Sequence, residues 1–181
     1  MSNRTQAEAS RRHPFGVLKR LSDGAPILIR PIRPDDKRML QDGLRQLSRE
    51  SVQRRFLTPK RSFSRSELRY LTEVDGRDHV ALVAESEGHA IAVARFVRSG
   101  ADPAVAEVAF VVADAWHRRG VGSALTEVLA DEARRRGIRR FTATMGSDNL
   151  AARRLLRNLT TELESRHTGG GISEVALELA A

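Results

Sequence analysis

The chain has 181 residues, 40% of them apolar, a net charge of +8 and no cysteine. That size and apolar share suit one globular domain with a sizeable core, and the missing cysteines exclude a disulfide framework, a thiolate metal site and a cysteine nucleophile. No apolar run approaches the roughly 20 residues that span a bilayer, so no membrane-spanning helix is expected.

The N-terminal MSNRTQAEASRRHPFG is polar and lacks the apolar h-region of a secretory signal. Residues 1–22 read as a disordered basic tail, residues 23–181 as a single domain, and the cytoplasm as the compartment. PILIRPIR (26–33) is a first strand. Pro34-Asp35-Asp36 opens a helix that runs through MLQDGLRQL, its early acids matching the N-terminal dipole. Ser48-Arg49-Glu50-Ser51 begins a second, short helix ending near Phe56, and Pro59 breaks the chain. Ser64 or Ser66 caps a third, SELRYLTEV.

The pattern changes at His79. HVALVAE and AIAVARFVR flank Ser86-Glu87-Gly88-His89 and read as a hairpin. VAEVAFVVAD is apolar on both faces, which predicts a central strand. The next helix spans about Val121 to Arg136, with Val121, Leu125, Val128, Leu129 and Ala133 along one side and Gly137 as its C′ stop. RRFTATM is a strand and 149–158 a helix. TTELESR and SEVALELA close the chain as a strand pair around Gly169-Gly170-Gly171. No internal repeat and no second domain is visible. The order predicts an α/β (α+β) fold, a mixed sheet with helices on its faces.

The stretch WHRRGVGSAL starts the long helix with far more than a cap requires. One Ser, Thr, Asp or Asn satisfies an N-terminus. Here Gly120 and Gly122 let the backbone approach a ligand, Arg118 and Arg119 add charge, and the first N–H groups of the helix are free for an anion. The Walker A pattern fails, because one residue separates the glycines and no lysine follows. The dinucleotide pattern fails because its third glycine is Leu125.

At these residues the chain resembles the GNAT N-acetyltransferases. Their acetyl-CoA motif, Gln/Arg-x-x-Gly-x-Gly/Ala, is similar to His117-Arg118-Arg119-Gly120-Val121-Gly122 except at its first residue. Within the family, LSRESVQRRF, LTEVDGRDHVALVAE and ARFVRSGADPAVAEVAFVVADAWHRRGVGSAL are most similar to the acetyltransferase domain of bacterial Pat-type protein-lysine acetyltransferases. The resemblance implies the GNAT fold: a mostly antiparallel sheet of six to seven strands flanked by helices, splayed between the fourth and fifth. It implies acetyl-CoA as cofactor and no metal. It implies that the amides of Arg118, Arg119, Gly120, Val121, Gly122 and Ser123 hold the diphosphate. Phe110, Val111 and Val112 would pair with the pantetheine arm, and Asn149 would contact the cofactor.

Acetyl transfer needs a neutral amine, so a base must take its proton. Glu107 interrupts an apolar strand, where burial would disfavour the ionised form and suit it to that task. The family resemblance assigns the same role to a glutamate on this strand. The competing reading is an acid at a splayed strand end, salt-bridged to an arginine. Asp114 reads as a turn or cap acid. His79 reads as a structural or surface histidine before a second base, and Ser123 as a phosphate ligand or cap. The family's acidic tyrosine, about seven residues after the Asn, is replaced by Leu156, and Tyr70 is the sole tyrosine. Proton delivery to the leaving thiolate then falls to water or the amine. His117 is expected to be tolerated with weaker binding. Arg153 and Arg154 are candidates for the cofactor's 3′-phosphate, though a solvated face explains them too, as it does Arg134 to Arg136 and Arg139-Arg140.

The expectation is an acetyl-CoA-dependent N-acetyltransferase acting on a primary amine, preferably a protein lysine, by direct transfer in a ternary complex. The alternatives are a small-molecule amine acetyltransferase and a CoA-binding sensor or docking module without turnover. A nucleic-acid partner is disfavoured, because aromatics for base stacking make up only 4% of the chain. A second copy of the chain, as a homodimer, is compatible.

Overall fold

The structure is a computed structural model, and it describes residues 11–13, 16–160 and 162–179. Nine strands among them form one sheet in the order β1-β2-β3-β4-β5-β6-β7-β9-β8. They are β1 (Arg11–His13), β2 (Gly16–Arg20), β3 (Pro26–Pro31), β4 (His79–Ser86), β5 (His89–Arg98), β6 (Val105–Val112), β7 (Arg140–Gly146), β8 (Leu163–Gly169) and β9 (Ile172–Glu178). Only β6 and β7 run parallel. The helices are α1 (Lys37–Gln46), α2 (Arg49–Phe56), α3 (Arg65–Thr72), α4 (Val121–Arg135) and α5 (Leu150–Arg157).

Two expectations change. The sheet is wider than six to seven strands, and the expected tail contributes to it. Residues 1–10, 14 and 15 of that tail lie outside the described residues, but β2 pairs with β3 from Val17↔Ile29 to Arg20↔Pro26. Asp23-Gly24 makes the turn, with Gly24 at φ 86°, and Leu21 is buried behind it. Asp-Gly is a hairpin signal. It is easily missed here because β2 is short and Leu18, in its middle, stays exposed.

The mostly antiparallel order, the central strand and the splay follow expectation. β6 and β7 pair only at Val105↔Arg140, Ala106↔Phe141 and Glu107↔Thr142. Past that point β7 stays with β9, and β6 stays with β5, so the edge of β6 from Val108 to Val112 opens into a cleft.

Helix α4 covers one face. Its Val121, Leu125, Leu129, Ala130 and Ala133 are fully buried against Ala106, Val108, Phe96 and Phe141. This is the apolar stripe read from the sequence, with Val128 at its rim. At its end the Ile138 amide donates to Ala133 and the Gly137 amide to Arg134, each at 3.0 Å, with Gly137 at φ 77°. This is the Schellman arrangement that a C′ glycine permits. Helices α1 to α3 cover the other face, over Ile32, Ala81 and Val93. Ser48 caps α2, and Ser64 with Glu67 forms a reciprocal capping box on α3.

Candidate active site

Strand alternation decides what faces the cleft. The Ala113 amide donates to Ile91 on β5 at 2.8 Å. N–H groups alternate sides along a strand, so those of Val112 and Phe110 point the other way, into the splay. Directly beyond lies the start of α4. Its N-cap is Gly120 at φ 88°, with no side-chain cap, and Arg118 before it is also left-handed at φ 57°. The first bond across the turn is made by the Ala124 amide to Gly120 at 3.0 Å. The amides of Val121, Gly122 and Ser123 therefore project from an uncapped positive helix end.

Strand edge and helix end line one cavity of 640 Å³. Of the residues expected there, Phe110, Val111, Val112, Arg118, Gly120, Val121, Gly122, Ser123 and Asn149 all line it. Gly122 has a steric reason: a Cβ would stand 3.2 Å from a Leu155 methyl and 3.5 Å from Val112 Cγ2. Asn149 caps α5 by accepting from the Ala152 amide at 3.1 Å. The Asn158 amide donates to the Ser123 hydroxyl at 3.3 Å, so Ser123 is a cavity wall residue and not a helix cap.

Arg119 departs from this set. Its guanidinium is bonded to Asp23 at 2.7 Å and lies 3.9 Å over the Trp116 ring, outside the cavity lining. Of the adjacent pair Arg153-Arg154 on α5, Arg154 lines the cavity, whereas Arg153 donates to Ser165 at 2.9 Å. Leu156, at the family's tyrosine position, is fully buried in the core, and its neighbour Leu155 faces the cavity. Tyr70 is outside, stacked on His79 at 4.8 Å between ring centroids.

Glu107 requires the main correction. It is exposed, not buried. Its side chain is on the α2 side of the sheet, in one row with His79, Val97 and Thr142. β6–β7 pairing stops at this row, so the carboxylate stands at the root of the splay. Among the described residues it has no ion pair within 4.0 Å. It borders a cavity of 270 Å³ that shares Arg54, Arg55, Phe110, Asn149 and Ala152 with the larger one.

Asp114 behaves as a turn acid. Its carboxylate accepts from the Ser48 amide at 3.0 Å and from the Ser48 and Ser51 hydroxyls at 2.7 and 2.8 Å, tying α2 to the end of β6. Burial alone would raise its pKa, but these hydrogen bonds outweigh burial and lower it. His79 is structural in its contacts. Arg95 Nη1 donates to its Nε2 at 3.1 Å, and burial followed by the Arg95 charge lowers its pKa.

Sequence reading missed Arg55. It carries no local signal, being one of two cations in the last turn of α2. In the structure its side chain lines the large cavity, the Glu107 cavity and a third beneath α1.

The sequence pattern of the Acetyltransferase (GNAT) family matches residues 44–159. The chain is 39% identical over 133 residues to Acetyltransferase Pat of Mycolicibacterium smegmatis, covering 72% of this chain and 40% of that protein. It thus spans well under half of that relative. The GNAT domain of S. lividans PAT is similar in structure at a TM-score of 0.83 and 32% identity, covering 97% of this chain and 99% of that one. The fold also matches yncA from Salmonella typhimurium, solved with its cofactor acetyl-CoA, at a TM-score of 0.63 and 21% identity over 84% and 92% of the two chains. The matched residues take in both the open strand edge and the uncapped, glycine-started helix, and the chain belongs to the GNAT acetyltransferases.

Proposed function

We propose that the chain moves an acetyl group from acetyl-CoA to a primary amine, preferably a protein lysine side chain, with Glu107 as the base. The observation that carries this reading is the single cavity joining the free edge of β6 to the uncapped N-terminus of α4. Acetyl-CoA supplies the acetyl group as a thioester and a diphosphate as the anion.

The chain's own groups fit that guest. The amides of Val121, Gly122 and Ser123 donate to the diphosphate, and Arg118 and Arg154 add charge beside it. The N–H groups of Phe110 and Val112 offer the pantetheine arm a strand-like partner, and the Val112 amide would donate to the thioester carbonyl as it develops charge. Glu107 stands at the root of the splay, on the strand that carries the open edge, where a long lysine chain would reach it from solvent. It accepts the amine proton and releases it to water, to which it is open. With no cysteine in the chain, direct transfer in a ternary complex is the remaining route.

The test has two steps: calorimetry with CoA and acetyl-CoA, then thiol release over a lysine-peptide library and a small-amine panel. Release with peptides supports the lysine reading, and release with small amines alone overturns it. Tight CoA binding with no release on either set supports the non-catalytic module, which the buried Leu156 in place of an acid favours.

A further inference from the structure

Two arginines on the α1–α3 face, Arg95 buried and Arg55 half-buried, have no acid in ion-pair contact among the described residues. Arg95 on β5 is 6% exposed. Its guanidinium donates to His79 Nε2 at 3.1 Å and to the Leu71 carbonyl at 3.3 Å, both neutral partners. Arg55 lies with its guanidinium 5.0 Å from the Phe56 ring centroid. Neither has a carboxylate within 4.0 Å among the described residues. Arg30 shows what this chain does elsewhere. It is equally buried, and it is held by Asp36 at 2.8 Å and Glu85 at 2.9 Å. Buried charges are ordinarily paired, because desolvation is otherwise uncompensated.

The strain of this arrangement is visible in both groups. Burial, then the Arg55 charge, pushes Arg95 down to about 10. Burial also lowers Arg55, and Glu107 opposes that shift from beyond ion-pair distance. Both side chains line a cavity of 70 Å³ whose remaining wall is largely apolar, with Leu40, Leu44, Phe63 and Ile91 in it. An apolar pocket with two converging cations is shaped for a small anion on an aliphatic stem. The planar guanidinium fork matches a carboxylate. Arg55 also borders the cavities that hold Glu107 and the β6 edge, so the pocket adjoins the reacting centre.

We propose that Arg55 and Arg95 bind a carboxylate carried by the acceptor. This rests on the amine-acetylation reading above. The carboxylate has two sources, an acidic side chain beside the target lysine or the carboxyl group of a free amino acid.

The first measurement needs no turnover. Butyrate and butyramide, which share a stem and differ in charge, are titrated into the full chain by NMR, in wild type, Arg55→Gln and Arg95→Gln. Butyrate should bind at least tenfold more tightly than butyramide, and either substitution should erase most of that difference. Arg95→Gln removes bonds to His79 and Leu71, so Arg95→Lys and the less buried Arg55→Gln keep the test valid where Arg95→Gln fails to fold. Equal binding of the two probes, or a butyrate affinity that ignores both arginines, overturns the proposal.

The second measurement identifies the source. Lysine peptides with Glu or Gln beside the lysine are compared, as are amino acids and their amides, by kcat/KM. The acid should win by at least fivefold in one series, and Arg55→Gln should abolish the preference. No preference in either series overturns the proposal with acetyl transfer intact. No turnover on any acceptor overturns acetyl transfer, while the butyrate result still decides the anion site.

Discussion

His117 Nε2 lies 2.9 Å from the carbonyl oxygen of Val112, five residues back along the chain. A carbonyl only accepts, so the ring carries its proton on Nε2. The contact closes the end of the open β6 edge with the one motif residue that differs from the family pattern. It is a single exposed hydrogen bond, worth about 1 kcal/mol, or about fivefold in affinity. His117→Ala should therefore change the CoA dissociation constant by no more than about fivefold in calorimetry. A hundredfold loss would make the ring a ligand in its own right.

Gly122→Ala should separate stability from binding. Alanine gains about 1 kcal/mol of helix propensity over glycine. The new methyl must fit 3.2 Å from Leu155, between α4 and α5 on the cavity wall. Thermal melting should be unchanged or higher, while CoA affinity falls about tenfold. A melting temperature that drops in step with affinity would mean general misfit and not a narrowed cradle.

Glu107→Gln should leave the acetyl-CoA dissociation constant within about twofold, because Glu107 lies outside the lining of the 640 Å³ cavity. The kcat should fall at least tenfold, since a positioned base contributes roughly 10²–10⁴ and this one competes with solvent at an exposed site. Equal kcat values remove Glu107 from the mechanism.

Stability should fall on mild acidification, through His79. Burial, then the Arg95 charge, holds the folded ring below its ordinary value near 6.5, with Asp75 opposing weakly. The unfolded chain takes up its proton first, so stability rises with pH across the interval between the two values. The contribution is complete above about 6.5 and is lost as pH drops through the folded value. Urea denaturation at pH 7.5 and 5.5 should show the loss in wild type. His79→Gln, which can still accept from Arg95, should show a smaller one. Equal losses would assign the slope to other groups.

The cofactor side of the site is legible in the sequence because its geometry is local. Gly120, Gly122 and the stripe from Val121 to Ala133 are read from a 3.6-residue period, a turn and an uncapped start, all within one short segment. Asn149 is local too as the residue opening α5, but its place in the site is read from the family resemblance. The alternation of β6 likewise fixes that Glu107 opposes Ala106 and Val108, but it does not say what covers that face.

What covers a face is set by partners far along the chain. Glu107 borders the splay because β7, over thirty residues later, leaves β6 at Thr142. Arg119 turns away from the cavity because Asp23, ninety-six residues earlier, meets it. Arg55 and Arg95 converge only where α2, packed over β6, brings its last turn beside β5, and no local pattern marks either as unpaired. Backbone conformation and side-chain face follow from neighbours within a few residues, so the sequence by itself determined the elements and the anion-ready helix. Burial and charge pairing depend on contacts across the sheet, so only the tertiary structure decided which acid is exposed and which cations await an anion.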